Sequence, residues 1–263
     1  MTGKATMAVC TAVLALCGCS GEPSAEEIAA LQTLEARVAA LERRKERVED
    51  ANALERLQHA YGYYVDRGLW DEAANLFADD GTIEIGLDGV YVGKARVREY
   101  LLALGSGRRG LVDGELNEHL QVMPVITVAP DGQTATARWR AITLTGELGG
   151  EAFWGEGPYE NEYVKDGGVW KIRRHQFYTT MYTPYEAGWG KEAIPNAGPS
   201  AELPPDRPPT VAYEAYPKAF VVPFHYENPV AAPRPSMAGA VVTGDVTAAS
   251  VETLLAALEP GGA

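Results

Sequence analysis

The sequence predicts an α+β domain in which helices come first, an antiparallel sheet follows, and the helices pack on one face of that sheet. Three observations carry this prediction. Apolar residues up to Leu104 recur at helical spacing, the runs from His119 onward alternate with period two, and a DGG turn at 166–168 joins two alternating runs as a hairpin turn does.

The first 19 residues read as a lipoprotein signal peptide. Lys4 supplies the charged start, Ala5 to Leu16 form an apolar run too short to span a bilayer, and LCGC closes the segment at Cys19. Gly18 is the small residue the cleavage pattern requires, so Cys19 is the candidate lipidation site; an ordinary secretory signal is the alternative. Acyl chains on Cys19 would tie the protein to a membrane surface, which places it in the cell envelope, at the outer membrane or the periplasmic face. All three cysteines, Cys10, Cys17 and Cys19, lie in this leader. Beyond it the chain has no thiol nucleophile, thiolate metal site or disulfide to draw on.

Residues 20–49 read as a spacer and stalk helix. Leu31, Leu34, Val38 and Leu41 form an apolar stripe, Lys45 interrupts it, and Val48 resumes it. The stalk either pairs with a partner, making a homo-oligomer, or lies on its own domain. The domain itself is assigned to residues 50–190. Its first helix carries Leu54, Leu57 and Tyr61 and stops at Gly68, a residue suited to a helix C-cap. A short second helix runs from Trp70 to Phe77 with Leu69, Ala73, Leu76 and Phe77 inward; ADDG at 78–81 breaks it, and TIEI begins a strand. A third helix follows within 90–104, burying Val97, Tyr100, Leu101 and Leu104. Strands are predicted over 119–128, 134–146 and 157–178. Trp139 and Trp170 are placed in the core.

Twelve of the 17 prolines fall between Pro184 and Pro235, so residues 191–263 form an irregular tail, closed by a short helix over 247–258. Tyr213, Tyr216, Phe220, Val222 and Phe224 make that tail too apolar for a free linker. It therefore lies along the outside of the domain, over a cavity mouth, or on a neighbouring subunit. The net charge of −13 repels phosphate, which excludes nucleic acid as a partner. No metal-spaced histidines, GxSxG or phosphate-binding glycine loop occurs, so neither a metal nor an organic cofactor is expected.

Taken in order, YxxxxD from Tyr61 to Asp66, LFADDG, YVGKARVREYL, the strand opening at His119 and YENEYVKDGGVWKI resemble the SnoaL-like branch of the nuclear transport factor 2-like superfamily. The resemblance implies a cone-shaped, curved antiparallel sheet with three helices around an apolar cavity, the first helix forming one wall. Such a cavity suits a small apolar ligand. It also implies site residues. Tyr61, Asp66 and His119 match the spacing and order of the Tyr, Asp and His of bile acid dehydratases, and Asp66, His119 and Asn161 resemble positions of scytalone dehydratases. The chain departs from the latter at Val65, Ile85 and Thr143 to Thr145.

The chemistry of an Asp and His pair is general. A carboxylate hydrogen-bonded to one ring nitrogen fixes the tautomer and makes the imidazole a better base. His119 would take a proton beside a carbonyl and return it to a departing hydroxyl, while Tyr61 would hydrogen-bond the carbonyl as it becomes enolate-like. Tyr64, Tyr159, Asn161 and Met123 are the candidate ligand contacts, Met123 because it shares the alternating face of His119 with Gln121. Each has a plainer reading. The helical wheel puts Asp66 well off the apolar stripe, as a solvated end residue near His59 and Tyr63; His119 reads equally as a core histidine and Tyr61 as packing. Two functions remain: a cofactor-independent lyase or isomerase, or a binding or assembly module without chemistry.

Overall fold

The computed structural model describes residues 23–230. The leader with Cys19 and the terminal helix expected at 247–258 lie outside the described residues. The chain divides into two units, one up to Glu46 and one from Arg47 onward. The first contains the start of α1 (Ala25–Asp66). Ser24 caps it: Ser24 Oγ accepts from the Glu27 N–H at 3.2 Å, and the Glu27 carboxylate accepts the Ser24 N–H at 2.8 Å, a capping box. Ile28, Leu31, Leu34, Val38 and Leu41 are all exposed.

In the second unit the last turns of α1 bury Leu54, Gln58, Tyr61 and Val65, three to four residues apart on one face. The helix ends in a Schellman motif. Leu69 N–H reaches the Tyr64 carbonyl at 2.8 Å and Gly68 N–H the Val65 carbonyl at 3.0 Å, with Gly68 at φ 62°, a conformation open to glycine. Next come α2 (Trp70–Asn75), β1 (Phe77–Ile85), β2 (Val90–Val92), α3 (Lys94–Leu104), β3 (Glu115–Val128), β4 (Thr134–Glu147), β5 (Ala152–Asp166), β6 (Val169–Phe177) and β7 (Met181–Pro184). These strands form one open, curved sheet in the order β2-β1-β6-β5-β4-β3, with β7 on β5. Only β1 and β6 run parallel. The β5–β6 hairpin turns at Gly167 and Gly168, both at positive φ, as the DGG signal requires. Leu54, Phe77, Ile83, Val97, Leu101, Trp139 and Ile172 make the core, with Trp170 at its margin.

Four local expectations are corrected. ADDG does not break the chain between a helix and a strand; it is a bulged part of β1, where pairing with β6 shifts register between Phe77 and Thr82. The second helix accordingly stops at Asn75, and Leu69 is exposed while Trp70 is buried. Leu104 is exposed at the end of α3. Met123 stands at a bulge in β3, between Val122 and Val125, with φ 56° and its side chain in solvent. The extra residue reverses which side of the strand follows Gln121, so Met123 is withdrawn as a ligand contact.

The tail from Tyr185 to Val230 has no helix or strand apart from one bridge of Arg207 to Val90, yet it is tied to its own domain. The Glu84 carboxylate accepts Thr210 N–H at 2.8 Å and Thr210 O–H at 2.7 Å. Tyr91 O–H donates to the Leu203 carbonyl at 2.8 Å, and Arg138 donates to the Pro223 carbonyl at 2.7 Å. Val211, Tyr213 and Val222 form a second small core with Tyr178.

Candidate active site

β3 crosses the end of α1, and this crossing makes the site. Asn117 Nδ2 donates to the Val65 carbonyl at 2.9 Å, and Arg67 donates to Glu118 at 2.9 Å. Between them the Asp66 carboxylate accepts the His119 backbone N–H at 2.7 Å. The same Oδ1 lies 3.3 Å from His119 Nδ1. Asp66 is only 6 % exposed, so it is not the solvated end residue that the helical wheel suggests. The strand, not the helix face, buries it. The Nδ1 contact is not aligned as a hydrogen bond, and Nδ1 has no other partner.

An apolar cavity of about 420 Å³ opens beside the pair. Tyr61, Val65, His119, Tyr159 and Phe177 line it, and Ile194 to Ala197 of the tail form part of its wall. His119 also borders a second cleft of about 380 Å³ with Asp66, His59 and Tyr63. His119 thus borders both spaces, while its carboxylate partner Asp66 borders only the second. Burial, with Tyr159 adding to it, lifts the Tyr61 phenol well above its ordinary value; it remains a neutral donor. The Tyr159 phenol is pushed up too, by burial first and then by the charge of Asp66. Asp88 also borders the cavity and accepts Tyr100 O–H at 2.7 Å; burial raises its carboxyl.

The other candidates separate. Tyr159, Asn161 and Tyr163 share one inward face, but only Tyr159 reaches the cavity. Asn161 is sequestered behind it. Its Nδ2 donates to Gln58 Oε1 at 3.0 Å and lies 3.2 Å from His175 Nδ1, while its Oδ1 accepts the Gln176 N–H at 3.1 Å. Tyr163 O–H also donates to Gln58 at 2.7 Å and accepts from Trp139 Nε1 at 3.0 Å. Every polar group of Asn161 is engaged by protein, so it is withdrawn as a ligand contact. Tyr64 is half-buried against the core and does not line the cavity.

Two buried polar residues lie behind this wall. Gln58 is the hub of the buried network and also bonds Gln121. The signal for it is a glutamine in the middle of an apolar stripe. His175 is fully buried between the rings of Tyr61, at 4.3 Å, and Tyr159, at 4.6 Å. Burial lowers it to about 3, so it is neutral. Alternation from Trp170 and Ile172 would point Arg174 inward, but β6 carries an extra residue at Arg173, where Ile172 faces Tyr163 and Arg174 faces Glu162. The shift brings His175 in. Among the described residues no group of three or more His, Cys, Asp or Glu is placed to hold a metal.

An open, curved and mostly antiparallel sheet with a helix-lined cavity defines the nuclear transport factor 2-like class of folds. Residues 46–176 match the SnoaL-like domain family, and the chain carries that domain. Solved structures similar to this chain include a candidate scytalone dehydratase from Novosphingobium aromaticivorans, at 21% identity over 60% of this chain and 97% of that one, with a TM-score of 0.47. The hexachlorocyclohexane dehydrochlorinase LinA-type3 of Novosphingobium barchaimii is similar at 19% identity over 54% and 94%, also with a TM-score of 0.47. A protein of unknown function from Mycobacterium tuberculosis matches at 21% identity over 51% and 74%, with a TM-score of 0.44.

Proposed function

We propose that this SnoaL-like domain is a cofactor-independent lyase or isomerase of the dehydratase type, acting on a small apolar molecule. The observation that carries this reading is a buried carboxylate, fixed by the His119 main chain and 3.3 Å from its ring Nδ1, with His119 bordering an apolar cavity shared with Tyr61. Asp66 holds the ring through Nδ1, which leaves Nε2 for the substrate. His119 takes the proton beside a carbonyl, Tyr61 donates to the carbonyl oxygen as charge develops, and the proton returns to the departing hydroxyl, which leaves as water. The loose Nδ1 geometry does not exclude this role, since catalytic hydrogen bonds often tighten only around substrate. Acylation at Cys19 would hold the domain at the envelope; mutation of Cys19 to Ser, followed by membrane fractionation, tests that part.

The chemistry is tested by solvent exchange. Apolar β-hydroxy ketones in deuterated water are followed by NMR for deuterium beside the carbonyl and for water loss, with wild type and His119→Ala side by side. Exchange by the wild type and a drop of about 10²-fold or more in the variant are expected. No exchange across the panel, or equal rates in the two proteins, refutes the reading.

A second reading is a binding module of the same fold without chemistry. It is favoured by the placement of Asp66 on the cleft side and by the unaligned Nδ1 contact. Saturable binding of apolar ligands without exchange is its expected signature.

A further inference from the structure

The exposed stripe at the start of α1 has the charge pattern of a helix built to pair with its own copy. Leu31, Leu34, Val38 and Leu41 alternate at the spacings of three and four that keep a seam on one side of a helix, and all are exposed. With Leu31 at position a of the heptad, Leu34 and Leu41 fall at d, Val38 and Lys45 at a. Position g holds Arg37 and Arg44, and position e holds Glu35, Glu42 and, further along the same sequence, Glu49.

In a parallel pair in register, g of one helix faces e of the next heptad on the other. Arg37 would then meet Glu42 of the partner subunit, and Arg44 would meet Glu49 of the partner subunit. In an antiparallel pair g faces g and e faces e, setting arginine on arginine and glutamate on glutamate. The pattern favours one orientation and penalises the other. Lys45 fits the same scheme, because a single lysine at an a position fixes register at a cost in stability while its stem lies along the seam. In proteins most helical stability comes from packing of an apolar face, and a partner supplies that contact here.

We infer that Ala25–Glu46 forms a parallel, two-stranded coiled coil with a second copy of this chain. The inference does not depend on whether the domain is an enzyme. The test uses the full chain in detergent with Cys10, Cys17 and Cys19 changed to Ser, its mass measured by sedimentation. The expected result is a dimer that Leu34→Glu with Leu41→Glu converts to monomer while the near-UV spectrum of the domain stays unchanged. A single Leu34→Cys should link the dimer by a disulfide at least tenfold faster than Ala36→Cys, which lies at the outer f position. Arg37→Glu with Arg44→Glu, and separately Glu42→Arg with Glu49→Arg, should each lose the dimer, and an equimolar mixture should regain it. A monomer at every soluble concentration overturns the inference. So does a dimer that survives the glutamate substitutions, which would use another face, or a monomeric variant whose domain spectrum changes, which would mean the stalk lies on its own domain. Equal linking at positions 34 and 36 overturns it as well.

Discussion

Asp66 and His119 are joined by two contacts of different kinds, and substitutions separate them. The backbone N–H of His119 is held by Asp66 at 2.7 Å whatever the side chain at 119. His119→Ala should therefore leave the fold intact while removing activity, whereas Asp66→Asn should cost both, with a stability loss of about 1–3 kcal/mol for the weakened buried acceptor. Thermal melts beside the exchange assay read the two apart. Tyr61→Phe should lower the rate by about 10²-fold with little change in stability, since among the described residues no hydrogen bond to its hydroxyl would be lost. His175 gives a pH test. Its folded value is depressed to about 3 from 6.5, so its contribution is fully present above about pH 6.5 and is lost as pH falls towards 3. Wild type should lose on the order of 3 kcal/mol by about pH 4 on this account alone, and His175→Gln should flatten that slope in denaturant titrations. At this scale the sequence was partly readable. Asp66 meets His119, and His119 and Tyr61 border one cavity, relations that a family resemblance suggested; the wheel alone points Asp66 outward because it knows nothing of a strand crossing the helix end.

Periodicity located every major helix and strand, and it failed where a strand carries an extra residue. The bulges at Met123 in β3 and at Arg173 in β6 each reverse the inward side, whereas across ADDG in β1 Phe77 and Ile83 both stay inward. One of these shifts removes Met123, offered as a ligand contact, and another brings His175 into the interior. The bulge at Met123 is itself testable. A non-glycine residue at φ 56° is strained, and the side chain is exposed, so Met123→Gly should raise stability by about 0.5–1 kcal/mol despite the added chain entropy. A fall in unfolding midpoint would mean that the side chain packs. Gly157 gives the opposite sign. An added Cβ there would lie 2.0 Å from the Tyr178 carbonyl, so Gly157→Ala should destabilise β5 by well over about 1 kcal/mol, visible as loss of soluble protein or a lower melting temperature.

For the whole molecule, the tail is part of the structure. Composition indicated that it would not float free, and left three resting places open; the bonds from Glu84, Tyr91 and Arg138 settle it on its own domain. Glu160 joins them, pairing with Arg138 and with His225 at 2.8 Å. Glu84→Ala leaves both Thr210 donors without their acceptor. We expect it to cost about 1–3 kcal/mol and to speed protease cleavage within residues 200–230, measured by limited digestion and mass spectrometry. Unchanged digestion would mean that the apolar cluster around Tyr213 holds the tail unaided.

The family match ends at residue 176, whereas the cavity wall continues to Ala197. A shortened protein cut at the edge of the matched segment would keep its chemistry-bearing side chains and lose the cover over them. Its binding preferences would then be those of an open bowl. Ligand screens on such a fragment would favour molecules too large for the intact protein, and would miss small ones whose retention depends on Ile194 and its neighbours.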